Sequence, residues 1–256
     1  MNTVCRGTPS ATTSGKSVKA NLILTFPKTL LYTTTPPGEG SLGQMYLREV
    51  CAAMPKDRLF CYGALSATSA PWVPSKDLEW LPIEFHDVPQ EYLFGTARGF
   101  IPDMMHSFMS RGRLRLLRGK ITGEVTEFAK SVGVELVVAV LASPTVIRTT
   151  RAIADALDAR IVSVVWNKPH TVTTGLDPFS RHTVMRHFQK VMRDSDTVLV
   201  PTEELRRHIE VRYGANAKVL SLREPSLLNS VRDNLMQVAV ENTRNKVVAA
   251  GLTGDR

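Results

Sequence analysis

Residues 135–166, ELVVAVLASPTVIRTTRAIADALDARIVSVVW, decide the fold. Glu135–Leu141 (ELVVAVL) reads as a buried strand, and Arg160–Trp166 (RIVSVVW) as a second. Between them Pro144 suits a first helical turn, and Val146, Thr150, Ile153 and Leu157 recur along one side of a helix. Strands apolar at nearly every position are covered on both faces. Two of them joined by a helix make a right-handed parallel crossover.

The alternation continues toward the C-terminus. Asp177-Pro178 opens a helix running to about Asp194, and Thr197–Val200 reads as a strand. Thr202 caps the next helix, with Glu203 and Glu204 in its first turn, Leu205, Ile209 and Tyr213 on one face, and Gly214 as its stop. Lys218–Leu222 is one more strand. Toward the N-terminus, Ala20–Phe26 (ANLILTF) reads as the first strand, closed by Pro27, and a loop runs on to Pro37. A helix follows, with Leu42, Tyr46, Val50 and Ala53 as its packed face and Pro55 as its end. Arg58–Tyr62 and Trp80–Phe85 are strand candidates, the second weakened by Pro82. Residues 97–131 read as helix interrupted at Gly99, Pro102, Gly112, Gly119 and Gly123.

The expected fold class is therefore α/β: a doubly wound, mainly parallel, Rossmann-like sheet over residues 20–222, with helices on both faces. Residues 1–19, rich in Thr, Ser and Gly, read as a disordered tail. Residues 223–256 read as a linker helix and then a strand, NKVVAAGL (245–252), which would open a second domain that is missing.

Composition bounds the function. The chain has 256 residues, 43% hydrophobic and 22% charged, which excludes a wholly disordered protein. Its longest apolar run, Leu136–Ala142, is far short of the roughly 18 residues a membrane helix needs. Cys5, Cys51 and Cys61 form neither a disulfide framework nor a zinc knuckle, which suits a reduced, cytoplasmic chain. The six His show no metal-ligand spacing, so no metal site is expected. A net charge of +8 suits an anionic partner, and equally a solvated basic surface.

Three segments could carry chemistry. Gly38-Glu39-Gly40-Ser41-Leu42-Gly43 fits G-x-G-x-x-G at a helix start, where glycines and free amides can hold a phosphate. The same glycines also suit a plain turn. The long loop from Pro27 and the lack of a carboxylate closing RLFCYGAL both speak against the dinucleotide form. Arg111, Arg113, Arg115, Arg118 and Lys120 alternate with Leu114, Leu116 and Leu117, a pattern for a helix on an acidic membrane surface or for a solvated helix face. Trp166-Asn167-Lys168-Pro169-His170 follows a strand. His170 could take a proton from an acceptor hydroxyl, and Lys168 could meet a phosphate, although a loop His is more often a surface residue. Asp177 reads as a helix cap as readily as a site residue. His182, His187 and His208 are expected to face solvent.

From ELVVAVLASPTVIRTTRAIADAL through WNKPH to FQKVMRDSDTVLVPTEELRRHIEVRYGANAKVL, the chain resembles the N-terminal half of GT-B fold glycosyltransferases. It looks most like the large retaining family that includes bacterial mannosyl- and glucosyltransferases. The likeness covers roughly residues 20–252 and rests on PPGEGSLGQ, WNKPH and the Asp194–Thr202 and Arg212–Gly214 segments. It implies an acceptor-binding domain, a nucleotide-sugar-binding domain that would follow Arg256, and an active site in the cleft between them. Gly38, Gly40 and Ser41 would then lie beside the donor diphosphate. The family often carries His or Asp after the fifth strand. Here Trp166 and Asn167 stand there, with His170 further on, and Glu39 separates glycines that members often hold adjacent.

The implied activity is transfer of a sugar from a nucleotide-diphosphate donor to a carbohydrate or lipid-linked hydroxyl. This half alone would be inactive and would need no cofactor, since the nucleotide-sugar is a substrate. The expected partners are that acceptor, a separate donor-domain chain and a membrane touched peripherally at its inner, cytoplasmic face; no nucleic acid is expected. Two rival readings are a dinucleotide-binding oxidoreductase or epimerase, and a non-catalytic basic binding module.

Overall fold

The computed structural model of the chain describes residues 26–65, 72–88, 93, 95, 99–220 and 236. The expected tail (1–19), most of ANLILTF and nearly all of 223–256, including NKVVAAGL, lie outside the described residues.

Among the described residues, seven parallel strands build one sheet in the order β3-β2-β1-β4-β5-β6-β7. They are β1 (Thr29–Thr33), β2 (Leu59–Leu65), β3 (Ile83–Asp87), β4 (Leu136–Val140), β5 (Arg160–Val164), β6 (Thr197–Val200) and β7 (Ala217–Val219). The inner strands β1, β4 and β6 are buried at every residue, as strands covered on both faces must be. Edge strand β3 is exposed or half-exposed throughout.

Strand β1 corrects the expectation of a loop from Pro27 to Pro37. It is TLLYT, and the chain enters it just after Pro27. Thr29–Tyr32 pair with Leu59–Tyr62 on one side and with Leu136–Ala139 on the other. Leu30 and Tyr32 point into one core and Leu31 into the opposite one. Tyr32 is tolerated there because its hydroxyl lies 2.8 Å from the Thr149 hydroxyl, and burial pushes its pKa upward.

The strand order reverses between β1 and β4. Right-handed crossovers on either side of that point must place their helices on opposite faces. The helices are α1 (Leu42–Ala52), α2 (Phe100–Val132), α3 (Pro144–Leu157), α4 (Pro169–Val172), α5 (Pro178–Asp194) and α6 (Glu203–Tyr213). One face packs on α1 through Tyr46, Leu47, Val50 and Cys51, with Met236 against the same core. The other packs on α2, α3, α5 and α6 through Ile121, Val125, Val146, Ile153, Phe188 and Ile209. Burying each of the larger of these side chains stabilises the fold by about 1.5–3 kcal/mol.

Local signals set the helix ends. Ser41, Ser143, Asp177 and Thr202 cap α1, α3, α5 and α6 by accepting from amides two or three residues on. Gly214 closes α6 at φ 65° and Gly133 closes α2 at φ 72°.

Two further corrections concern helices. In α1 the buried face is Gln44, Tyr46, Leu47, Val50 and Cys51, while Leu42 is 86% exposed. Helix α2 runs unbroken for 33 residues. Pro102 falls in its first turn, where a missing amide costs nothing, and Gly112, Gly119 and Gly123 lie within it. At about 1.5 Å per residue α2 is about 50 Å long, far longer than a strand of five residues. Its C-terminal half lies on the sheet, and its N-terminal half continues past the carboxyl edge.

Candidate functional site

Open α/β sheets bind ligands outside the carboxyl ends of their strands, where the order reverses. Here that place lies between the β1–α1 loop and the β4–α3 loop. The chain leaves β1 at Thr33, whose hydroxyl accepts from the Thr35 amide at 2.9 Å. It then reaches Gly38, which is buried, and Glu39 and Gly40, which are exposed.

The amides of this glycine loop are mostly engaged. Gly38 donates to the Gln44 carbonyl (3.1 Å) and Glu39 to the Val73 carbonyl (2.9 Å). Gly40 donates to the Gln44 side-chain oxygen (3.0 Å), and Ser41 Oγ accepts from the Gln44 amide (3.3 Å). Buried Gln44 thus organises the loop from within. A Cβ on Gly38 would stand 2.2 Å from the Val73 carbonyl oxygen, so close backbone approach accounts for this glycine. By helix geometry, the donors left at the mouth are the Ser41 hydroxyl and the first-turn amides of Leu42 and Gly43. Glu39 pairs with Arg48 at 3.3 Å, which places a carboxylate at that mouth.

The β5–α4 loop comes to the same edge. Trp166 is half-buried and packs on Tyr46 of α1, ring centroids 4.1 Å apart and near perpendicular. This contact ties WNKPH to the helix that follows the glycine loop. Asn167, Lys168 and His170 are exposed. The Lys168 ammonium lies 2.8 Å from Glu204 of α6, and that hydrogen bond holds the Glu204 carboxyl below its usual range. The His170 carbonyl accepts from the Thr173 and Thr174 hydroxyls, which fixes the loop backbone and leaves the ring outward.

The basic run on α2 divides. Arg111, Arg115 and Arg118, spaced four and three apart, line one side of a pocket of about 440 Å³. Arg113 and Lys120 are exposed outside it, Lys120 lying 3.7 Å from Glu124. Arg148 of α3 and Ser180, Thr183 and His187 of α5 complete the lining with Leu114. His187 does not simply face solvent as expected. It is half-buried, with Nε2 3.4 Å from Arg118 Nη1. Burial first, then Arg118, Arg148, Lys190 and Arg186, lower its pKa to about 4. The α5 side of this pocket could have been found from the spacing of Ser180, Thr183 and His187. Arg148 arrives from another helix and had no local signal.

Asp177 anchors α5 to the overhanging half of α2. It caps the Phe179 and Ser180 amides, and it accepts from the Ser107 hydroxyl. Burial pushes its carboxyl upward, but the bonds from Ser107 and Ser180 and the Arg111 charge outweigh this, and the net shift is downward. Around this anchor Phe100 (70%), Ile101 (77%) and Phe108 (71%) are largely exposed, as are Met105, Met109 and Phe179. The Arg111 guanidinium lies 5.9 Å from the Phe108 ring and 5.3 Å from the Phe179 ring. Among the described residues no helix is long and apolar enough to cross a membrane, and no group of His, Cys, Asp or Glu could hold a metal ion.

No family model matches the chain, and no curated protein is similar to it. Several solved structures are. UGT89C1 of Arabidopsis thaliana complexed with UDP shares 11% identity over 78% of this chain and 53% of that one, with a TM-score of 0.44. UGT73P12 of Glycyrrhiza uralensis complexed with glycyrrhetinic acid 3-O-monoglucuronide shares 9% over 78% and 51%, with a TM-score of 0.41. A UDP-glucosyltransferase of Polygonum tinctorium capable of glucosylating indoxyl shares 16% over 76% and 52%, with a TM-score of 0.39. These are plant UDP-glycosyltransferases, not the bacterial mannosyl- and glucosyltransferases of the sequence likeness. The chain spans about half the length of each. What the structure establishes by itself is a seven-stranded parallel α/β, Rossmann-like sheet with helices on both faces.

Proposed function

We propose that the chain is the acceptor-binding half of a GT-B glycosyltransferase, acting on a carbohydrate or lipid-linked hydroxyl. The reading is supported by one observation above all. The glycine loop and the WNKPH loop, which carry the sequence resemblance, share one carboxyl edge and are coupled by the Trp166–Tyr46 contact. In this reading His170 takes the acceptor proton, Asn167 orients the hydroxyl, and Ser41 with the first α1 amides faces the donor diphosphate beside Gly38 and Gly40. Lys168 would leave Glu204 to meet a phosphate. The exposed apolar stripe of α2 holds the lipid part of the acceptor against an acidic membrane surface, with Arg113 and Lys120 toward that surface.

Sugar transfer also requires cations or helix ends that neutralise the leaving diphosphate, and a closed cleft. The chain alone is therefore expected to turn over no nucleotide-sugar. A second reading, a non-catalytic basic binding module, draws support from the glycine-loop amides that are already bonded within the protein. Hydrogen exchange on the full chain separates the two. A long-chain alkyl glucoside should protect residues 166–172, around the acceptor loop, while UDP-glucose alone should leave them unprotected. Protection by UDP-glucose alone would overturn the acceptor assignment. Protection by neither would favour the binding module.

A further inference from the structure

We propose that Trp166 is a stacking platform for a pyranose ring, so that the acceptor of this chain is a carbohydrate and not a bare lipid hydroxyl. The proposal rests on the acceptor-half reading and narrows it.

The hydrogen bonding of the three tryptophans carries the inference. Trp72 donates its indole N–H to the Pro37 carbonyl at 3.0 Å and packs on Phe85, ring centroids 4.9 Å apart. Trp80 donates to the Asp77 carbonyl at 2.9 Å. The Trp166 indole N–H has no acceptor among the described residues, and its nitrogen is not one of the buried polar atoms left without a partner. It therefore reaches water. An indole with a packed apolar body and an open donor suits a ligand that has both characters.

Trp166 is also held in place at the right edge. It stands just past the end of β5, in the same loop as the exposed Asn167 and His170. Its half-buried ring packs against the core under α1 and meets Tyr46 at an interplanar angle of 69°. A contact so near perpendicular covers at most one face of the indole. Tyr46 is itself fixed, its hydroxyl donating to the Leu220 carbonyl at 3.3 Å. A ring buttressed in this way loses little freedom when a ligand arrives.

A pyranose matches both features. One face of the sugar ring presents C–H groups, which pack on an aromatic face through weak contacts. Its hydroxyl oxygens accept from N–H donors. A hydroxyl at the end of an alkyl chain offers no such C–H face. A sugar stacked on Trp166 lies beside the loop that acts on the acceptor in the proposed reaction.

NMR of the indole N–H groups of the full chain tests this, with octyl glucoside and an octyl oligo-oxyethylene ether as monomeric probes. The glucoside should move the Trp166 signal and leave those of Trp72 and Trp80 in place; the ether should move none. Trp166→Leu should weaken glucoside binding by about tenfold, and Trp166→Phe, which keeps a ring face but loses the donor, by less. Trp80→Phe should change it by no more than about twofold. Equal shifts with both probes would overturn the platform and leave a lipid-hydroxyl acceptor standing. Protection of residues 166–172 by the glucoside with an unmoved Trp166 signal would likewise overturn the platform alone. A Trp166 shift with UDP-glucose would put the residue on the donor side and overturn it too. A glucoside that neither moves the signal nor protects the loop would overturn both the platform and the acceptor reading.

Discussion

The two halves of α2 are solvated in opposite ways. After Gly119, Ile121, Val125 and Ala129 are buried against the sheet. Before it, Phe100, Ile101, Met105, Phe108, Met109 and Leu116 stand exposed, and the buried residues are polar, Asp103 and Ser107. The C-terminal half is thus a core element whose energy is burial. The N-terminal half is held by hydrogen bonds and a cap to α5, and it exposes apolar and basic surface. An exposed apolar stripe of this kind marks an interaction surface far more often than a packing element.

Substitutions along α2 can break or sharpen that contrast. Ile121→Ala should cost the most, about 2–5 kcal/mol by denaturant unfolding, because it opens a cavity under the sheet. A cost below about 0.5 kcal/mol would mean the C-terminal half is not core. Asp177→Ala should cost about 1–3 kcal/mol, since it removes the α5 cap and strands the Ser107 hydroxyl. Gly119→Ala should stabilise by about 0.8–1 kcal/mol, because a Cβ there meets nothing within 4 Å. A loss of stability there would show that the two halves are not one continuous helix. Phe108→Ser should change stability by less than about 0.5 kcal/mol while lowering retention on anionic vesicles.

The pocket beside the N-terminal half has its own pH signature. Folded His187 resists protonation down to about 4, whereas an unperturbed His takes its proton near 6.5. Between those values the unfolded chain binds more protons, so native stability falls as pH drops through that window. Above it the group contributes no pH dependence. His187→Gln should flatten that part of the stability profile, as read by urea midpoints across pH 4–7.

Much of the fold was legible because local rules acted alone. The α3, α5 and α6 boundaries follow from Pro144, Asp177-Pro178, Thr202 and Gly214, and β4, β5 and β6 follow from runs apolar at nearly every position. Elements failed where partners distant in the chain decide the outcome. TLLYT read as part of a loop because it lies between Pro27 and Pro36-Pro37, and pairing with β2 and β4 makes it a strand. The glycines of α2 read as breaks, yet a helix packed over half its length tolerates them. The glycine loop was visible as a motif, but its occupancy by Gln44 and Val73 was not, since Val73 comes from a distant segment.

The sequence by itself determined the alternation of buried strands and capped helices, and with it a parallel α/β sheet, because burial on both faces and helix capping are written within a few consecutive residues. Only the tertiary structure decided which amides of the glycine loop are consumed, that Trp166 leans on Tyr46, and that Arg148 joins three arginines of α2 around His187. Those are meetings of residues far apart in the chain, and crossover geometry, not local preference, brings them together.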